Sequence, residues 1–155
     1  MTKAELAKQN FLNGCNCAQA VLLAFSDETG LDRATALRLA SGLGGGMARM
    51  REVCGTVNGM FLAAGLILGS DDTADRAAKS ELYRRLQGLA ERFRARNGSI
   101  VCRELLTGIQ TAPGGVPEAR TDTYYKKRPC AELCADAAEI LEEFLQAYPE
   151  ARAKI

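Results

Sequence analysis

Residues 53–70 read VCGTVNGMFLAAGLILGS, a stretch with no charged side chain, flanked by Arg49, Arg51 and Glu52 before it and by Asp71 and Asp72 after it. Its length just reaches that of a membrane-spanning helix. Thr56, Asn58 and four glycines (Gly55, Gly59, Gly65, Gly69) argue against that use, as do flanks that run directly into amphipathic sequence. A central helix buried on every side accounts for the stretch better. Gly55-x-x-x-Gly59 and Gly65-x-x-x-Gly69 would let neighbouring helices approach closely. That reading decides the fold class: all-α, an irregular bundle of about five to six helices around a glycine-rich, apolar central helix.

The sequence on either side supplies the other helices. Thr2 with Glu5 forms a capping box, opening a short helix that ends near Asn13-Gly14. Asn16 caps a second helix, with Cys17, Val21 and Phe25 on one face and Gly30 as its stop. Asp32 caps a third, in which Ala36, Leu39 or Ala40, and Leu43 recur at helical spacing before Gly44-Gly45-Gly46 interrupts the pattern. Downstream, Asp72 and Asp75 open the longest amphipathic run, where Ala78, Leu82, Leu86, Leu89 and Phe93 line one face until Asn97-Gly98. A short segment around Cys102–Thr107 follows. Residues 108–129, with Pro113, Gly114, Gly115, Pro117 and Pro129, read as a long irregular loop, and such loops often carry function. The last helix opens at about Pro129, turns Leu133, Ala137, Ile140 and Phe144 inward, and ends at Pro149. No segment alternates with period two and none repeats, so 155 residues form a single helical domain.

Composition removes several function classes. Twenty Lys and Arg against 19 Asp and Glu leave a formal charge of +1, which offers no basic surface for nucleic acid. The chain has no histidine. Ser-His-Asp and Cys-His nucleophile pairs are therefore absent, and any soft-metal site would be built from thiolates, with at most a carboxylate in support. The N-terminal MTKAELAKQN carries charge and has no apolar core, unlike a secretory signal. A cytoplasmic protein is expected, in which grouped cysteines mean redox or metal chemistry more often than structural bridges.

Six cysteines remain: Cys15, Cys17, Cys54, Cys102, Cys130 and Cys134. None belongs to a Cys-x-x-Cys or ferredoxin-type spacing, so they can meet only through the fold. Their settings differ. Cys17 and Cys130 fall in the first turns of helices, Cys130 directly after Lys126-Lys127-Arg128; Cys102 precedes Arg103, and Cys54 follows Arg49 and Arg51. Helix starts and cations both depress thiol pKa values, so all four are expected to be reactive. The plain alternative is that each is a small buried hydrophobe. Cys134, on a stripe with Ala137 and Leu141, reads as core packing, and Cys15 as a bystander or a strained local partner for Cys17.

Taken in order, Cys17-Ala18-Gln19-Ala20-Val21, Gly44-Gly45-Gly46-Met47, Cys54-Gly55-x-x-x-Gly59, Cys102-Arg103-Glu104-Leu105 and Cys130 at the start of a terminal helix resemble the C_GCAxxG_C_C family of redox-active proteins. The likeness runs from about Phe11 to Phe144, and it is specific through the order and spacing of its cysteines. It implies a small helical protein of bacteria and archaea whose four characteristic cysteines, here Cys17, Cys54, Cys102 and Cys130, serve redox chemistry. Cys15 and Cys134 are extras to that pattern, and Thr56 stands where the pattern has an alanine-like residue. A related domain in split-Soret cytochromes implies that an iron–sulfur cluster is compatible with the scaffold. No haem is implied, since Cys-x-x-Cys-His is absent.

Three readings follow. In the first, two or more of the four cysteines carry thiol–disulfide redox or electron transfer, as in a thiol oxidoreductase with a redox partner, and the loop after Cys102 acts as a lid. In the second, the same four thiolates bind an iron–sulfur cluster or another metal. In the third the cysteines are inert and the domain is structural, and a homo-oligomer is compatible with any of the three. Gly42-x-Gly44-Gly45-Gly46 with Arg49 and Arg51 suggests either an anion nest or, more simply, a close helix crossing. Tyr124-Tyr125 beside the basic triplet reads as an anchor for the loop.

Overall fold

The capping signals place most helices where the sequence puts them. A computed structural model describes residues 1–152, and among these nine α-helices follow one another. They are α1 (Lys3–Leu12), α2 (Cys17–Ala24), α3 (Ser26–Thr29), α4 (Arg33–Leu39), α5 (Gly55–Leu68), α6 (Arg76–Asn97), α7 (Cys102–Leu105), α8 (Asp122–Lys127) and α9 (Cys130–Ala147). Thr2 and Glu5 close the expected capping box, Asp32 and Asp75 each accept from the backbone N–H three residues on, and Gly98 ends α6 in the left-handed region. Asn16 and Gln19 form a second capping box at the start of α2. Sheet-like pairing among the described residues is limited to one antiparallel bridge between Val53 and Val101.

Two expectations need correction. The helix read from Asn16 to Gly30 breaks at Phe25, whose backbone leaves helical geometry while its ring is fully buried; α3 then ends on Gly30 at φ 72°. Residues 108–129 are not irregular throughout. Thr121 caps α8 by accepting from Tyr124 N–H at 3.1 Å, a signal hidden in a stretch dominated by proline and glycine.

At the centre, α5 packs against α2, α6 and α9, and α1 lies across α2 and α9. Phe11, Leu22, Phe93, Met60 and Ile140 are among the fully buried side chains, each contributing roughly 1.5–3 kcal/mol through burial. Glycine brings α2 and α5 together. A Cβ on Gly59 would stand 2.6 Å from the Ala18 carbonyl oxygen, and one on Gly55 would stand 3.2 Å from Cys17 Sγ. The second glycine pair does not serve such a crossing, since Gly65 faces open space. Nor is α5 buried on every side: Leu66 remains 41% exposed. No helix among the described residues is long and apolar enough to cross a membrane.

Between α4 and α5 the chain winds left-handed. Gly45, Gly46, Met47, Ala48 and Arg49 have φ values of 63°, 68°, 66°, 51° and 59°, and Arg51 follows at 61°. Left-handed geometry costs about 1–2 kcal/mol for each non-glycine residue. The coil is held by backbone hydrogen bonds, from Ala48 to Gly42 (2.8 Å), Arg51 to Gly45 (3.1 Å) and Glu52 to Gly46 (2.9 Å). A Cβ on Gly46 would fall 2.5 Å from the Cβ of Cys102, so only glycine lets the coil lie against α7.

Candidate functional site

Four cysteines reach one place because four helices begin there. Cys17, Cys102 and Cys130 are the first residues of α2, α7 and α9, and Cys54 is the N-cap of α5. All four line a single cavity of about 420 Å³ and are almost buried, with exposures of 4–9%. Local geometry explains the convergence of Cys54 and Cys102. The Val53–Val101 bridge is flanked by hydrogen bonds from Cys54 N–H to the Ile100 carbonyl (2.7 Å) and from Cys102 N–H to the Glu52 carbonyl (2.6 Å). Side chains alternate along paired segments, so Cys54 and Cys102 share the face opposite the two valines, and that face is the cavity wall.

Cys17 is the centre of the group. Asn16 and Gln19 hold its helix start, Asn16 also donating to the Ser41 carbonyl (3.2 Å) and Gln19 to the Leu37 carbonyl (2.9 Å). The Cys130 thiol hydrogen-bonds its sulfur, and the N–H groups of Gly45 and of Cys17 itself add to that stabilisation. Together with the nearby Arg120 they overcome burial and bring the thiol down to about 6 from an ordinary 9.0.

The other three cysteines overturn the expectation of uniformly depressed values. Burial and the charge of Cys17 push Cys54 up to about 12, despite a 3.1 Å hydrogen bond between its thiol and the Thr56 hydroxyl. Burial raises Cys102 too, although Arg51 Nη1 approaches its sulfur at 3.7 Å. Cys130 is raised first by donating its proton to Cys17 and then by burial. The basic triplet before Cys130 does not act on it as read: Lys126 and Lys127 face solvent, while Arg128 turns inward to pair with Glu118. Cys15 and Cys134 lie outside the cavity lining. Cys134, fully buried, points its thiol at the Cys17 carbonyl (3.9 Å), as its place in the core stripe implies.

The rest of the wall is cationic. Arg49, Arg51, Arg120 and Arg128 line it, with Glu118 as the sole acidic lining residue. Arg49 reaches across to the segment 112–118, donating to the carbonyls of Ala112 (3.1 Å), Gly114 (2.6 Å) and Val116, and so straps the loop over the cavity. Arg120 donates to the Phe11 and Cys15 carbonyls and stacks 4.4 Å from the Phe11 ring and 5.1 Å from that of Tyr124. The aromatic pair thus anchors the loop, through an arginine that sequence reasoning missed. Its hydrogen-bond partners lie more than a hundred residues away, out of reach of a local reading.

The fit of a metal or cluster can be tested against this donor set. Among the described residues no three His, Cys, Asp or Glu side chains stand close enough together to hold a metal ion. A thiolate site for zinc or an iron–sulfur cluster needs sulfurs that converge on one point, and the described residues form no such group.

Compared with known proteins, residues 15–144 match the sequence profile of the family described as "Putative redox-active protein (C_GCAxxG_C_C)", and the chain belongs to that family. No curated protein and no solved structure matched it.

Proposed function

From that membership and from the thiol cavity, we propose that the protein is a thiol–disulfide oxidoreductase in which Cys17 attacks and Cys130 resolves. The observation that carries the reading is the placement of Cys17 and Cys130, the first residues of α2 and α9, on the wall of one cavity, where Cys130 lowers the Cys17 thiol and is itself raised. The Cys17 thiolate attacks one sulfur of an external disulfide RSSR, whose S–S bond breaks to release RS⁻. Cys130 then loses its proton to RS⁻ and attacks the Cys17 sulfur, displacing the second RS⁻ and leaving a Cys17–Cys130 disulfide. Two electrons pass to the substrate, and an external dithiol restores the pair. Cys54 and Cys102 stay protonated throughout, as their raised values favour.

Oxidising the reduced protein with one equivalent of a small disulfide and mapping the bridges by mass spectrometry tests the proposal. A Cys17–Cys130 bridge is expected, with a trapped mixed disulfide on Cys17 in Cys130→Ser. Bridges that form equally well in Cys17→Ser would refute it.

A further inference from the structure

The cavity has more positive charge than the fold uses. Four guanidinium groups face one carboxylate, and even an ionised Cys17 leaves an excess of cations. Three arginines are committed: Arg49 to the loop carbonyls, Arg120 to Phe11 and Cys15, and Arg128 to Glu118. Arg51 is different. Among the described residues its guanidinium meets only the Cys102 sulfur, a long contact to a neutral thiol.

Its backbone, in contrast, is fixed on both sides. Arg51 sits at φ 61° with its N–H bonded to the Gly45 carbonyl, while its own carbonyl accepts from Arg103 N–H (3.2 Å) and Arg103 Nη1 (3.1 Å). Strain of this kind persists where the surroundings over-determine it, and here its result is to aim a half-buried cation at the cavity. A guanidinium that lines the cavity with no salt-bridge partner among the described residues can offer paired hydrogen bonds to an anionic ligand.

Resting on the dithiol reading above, we propose that the substrate is a small anionic disulfide, bound through its carboxylate by Arg51 with its sulfur presented to Cys17. Size favours a small molecule over a protein. The cavity of about 420 Å³ falls in the range of small-ligand sites, and Gly115, Pro117 and Glu118 of the strapped loop form part of its wall. Arg51 is a binding residue in this scheme, and Cys17 and Cys130 do the chemistry. The reaction is RSSR plus thiolate and thiol giving the protein disulfide, RSH and RS⁻, with atoms and charge balanced.

The test compares two oxidants of similar reactivity, dithiodipropionate, which carries two carboxylates, and the uncharged hydroxyethyl disulfide, each reacting with the reduced protein. A charge-assisted hydrogen bond contributes about 1.5–3 kcal/mol, so the dianion should react roughly 10–100-fold faster at low concentration. Arg51→Asn, chosen because asparagine tolerates left-handed backbone, should collapse that ratio toward one, and Arg51→Lys should restore part of it. Suberate, the dicarboxylate without sulfur, should inhibit competitively. Equal rates for the two oxidants, with no inhibition by suberate, would overturn the substrate class and leave the dithiol reading standing. If neither disulfide oxidises Cys17 and Cys130, the dithiol reading itself fails and takes this proposal with it.

Discussion

Removing the Cys130 thiol should return Cys17 toward ordinary cysteine behaviour, by an amount that the site's geometry bounds. Cys17 stands at about 6 against an ordinary 9.0, with the Cys130 hydrogen bond as the largest cause, followed by opposing burial, the Gly45 and Cys17 N–H groups, and Arg120. Four favourable contributions therefore outweigh burial and still lower the thiol by three pH units. The Cys130 hydrogen bond is the largest of them, so its loss should raise Cys17 from about 6 toward the ordinary 9.0, a window of three pH units. At pH 7 a thiol at about 6 is ~90% ionised, so Cys130→Ala should lower the thiolate fraction, to ~1% if the whole window is recovered. The assay is the pH dependence of iodoacetamide alkylation at Cys17, followed by peptide mass spectrometry on reduced protein. Wild type should show a midpoint near pH 6 and Cys130→Ala a midpoint shifted toward pH 9. Cys130→Ser, whose hydroxyl still donates, should fall between them. Both serine and alanine abolish the resolving thiol, so the difference between them isolates the hydrogen bond. Midpoints that coincide in all three proteins would refute the reasoning.

Three further outcomes follow from the same geometry. The reduced protein should gain stability as pH rises from 6 to 9, because the unfolded Cys17 holds a proton that the folded one has lost; above pH 9 the trend should reverse as Cys54 and Cys130, raised on folding, keep protons that the unfolded chain releases, all measured by denaturant midpoints across pH. Gly59→Ala should cost about 2–4 kcal/mol in urea unfolding, since its Cβ would meet the Ala18 carbonyl at 2.6 Å between two packed backbones; a loss below about 1 kcal/mol would mean that α2 and α5 can part easily. Arg49→Ala should release the segment 112–118, seen as faster proteolysis there with the global unfolding midpoint nearly unchanged; unaltered cleavage would show that the strap is held elsewhere.

The fold was legible wherever a local signal was strong. Capping signals at Thr2–Glu5, Asn16 and Asp75, and the apolar period of α6 and α9, depend on residues at most a few positions apart, and the structure follows them. The break at Phe25 and helix α8 were less legible, because burial of one ring and a threonine cap inside a proline-rich loop leave no periodic trace. The four cysteines that line the cavity could be grouped from their order along the chain, yet the directions in which their pKa values part could not. A helix start or nearby arginines mark all four alike, whereas the values part through the fold: Cys130 bonding Cys17, burial and the charge of Cys17 raising Cys54, and Arg128 paired with Glu118. The glycine run was half read. A close crossing occurs at Gly46, but the left-handed coil that sets Arg51 was invisible, since Met47, Ala48 and Arg49 give no hint of positive φ.

A chain without histidine must manage protons at neutral pH by other means, and the pairing of Cys17 with Cys130 shows how two chemically identical groups can divide that work. In water two thiols would titrate together near 9. Here both are buried, and burial alone would raise both. The asymmetry comes from the neighbours. Cys17 receives N–H donors from Gly45 and from its own helix start as well as the field of Arg120, so Cys17 is lowered while Cys130 is raised. In the proposed mechanism that asymmetry sets the order of events. The sulfur able to attack is the deprotonated one, and the sulfur held in reserve carries the proton that the leaving thiolate needs. Gly45 thus links the two halves of the argument: its positive φ starts the left-handed coil that fixes Arg51, and its N–H helps to keep Cys17 ionised. A substitution such as Gly45→Ala, whose Cβ would fall 2.7 Å from Arg49 Cγ and 2.9 Å from Arg49 Cα, should therefore raise the alkylation midpoint of Cys17 and loosen the strapped loop together. Movement of one without the other, in a variant that remains folded by circular dichroism, would separate the thiolate from the coil and break that link.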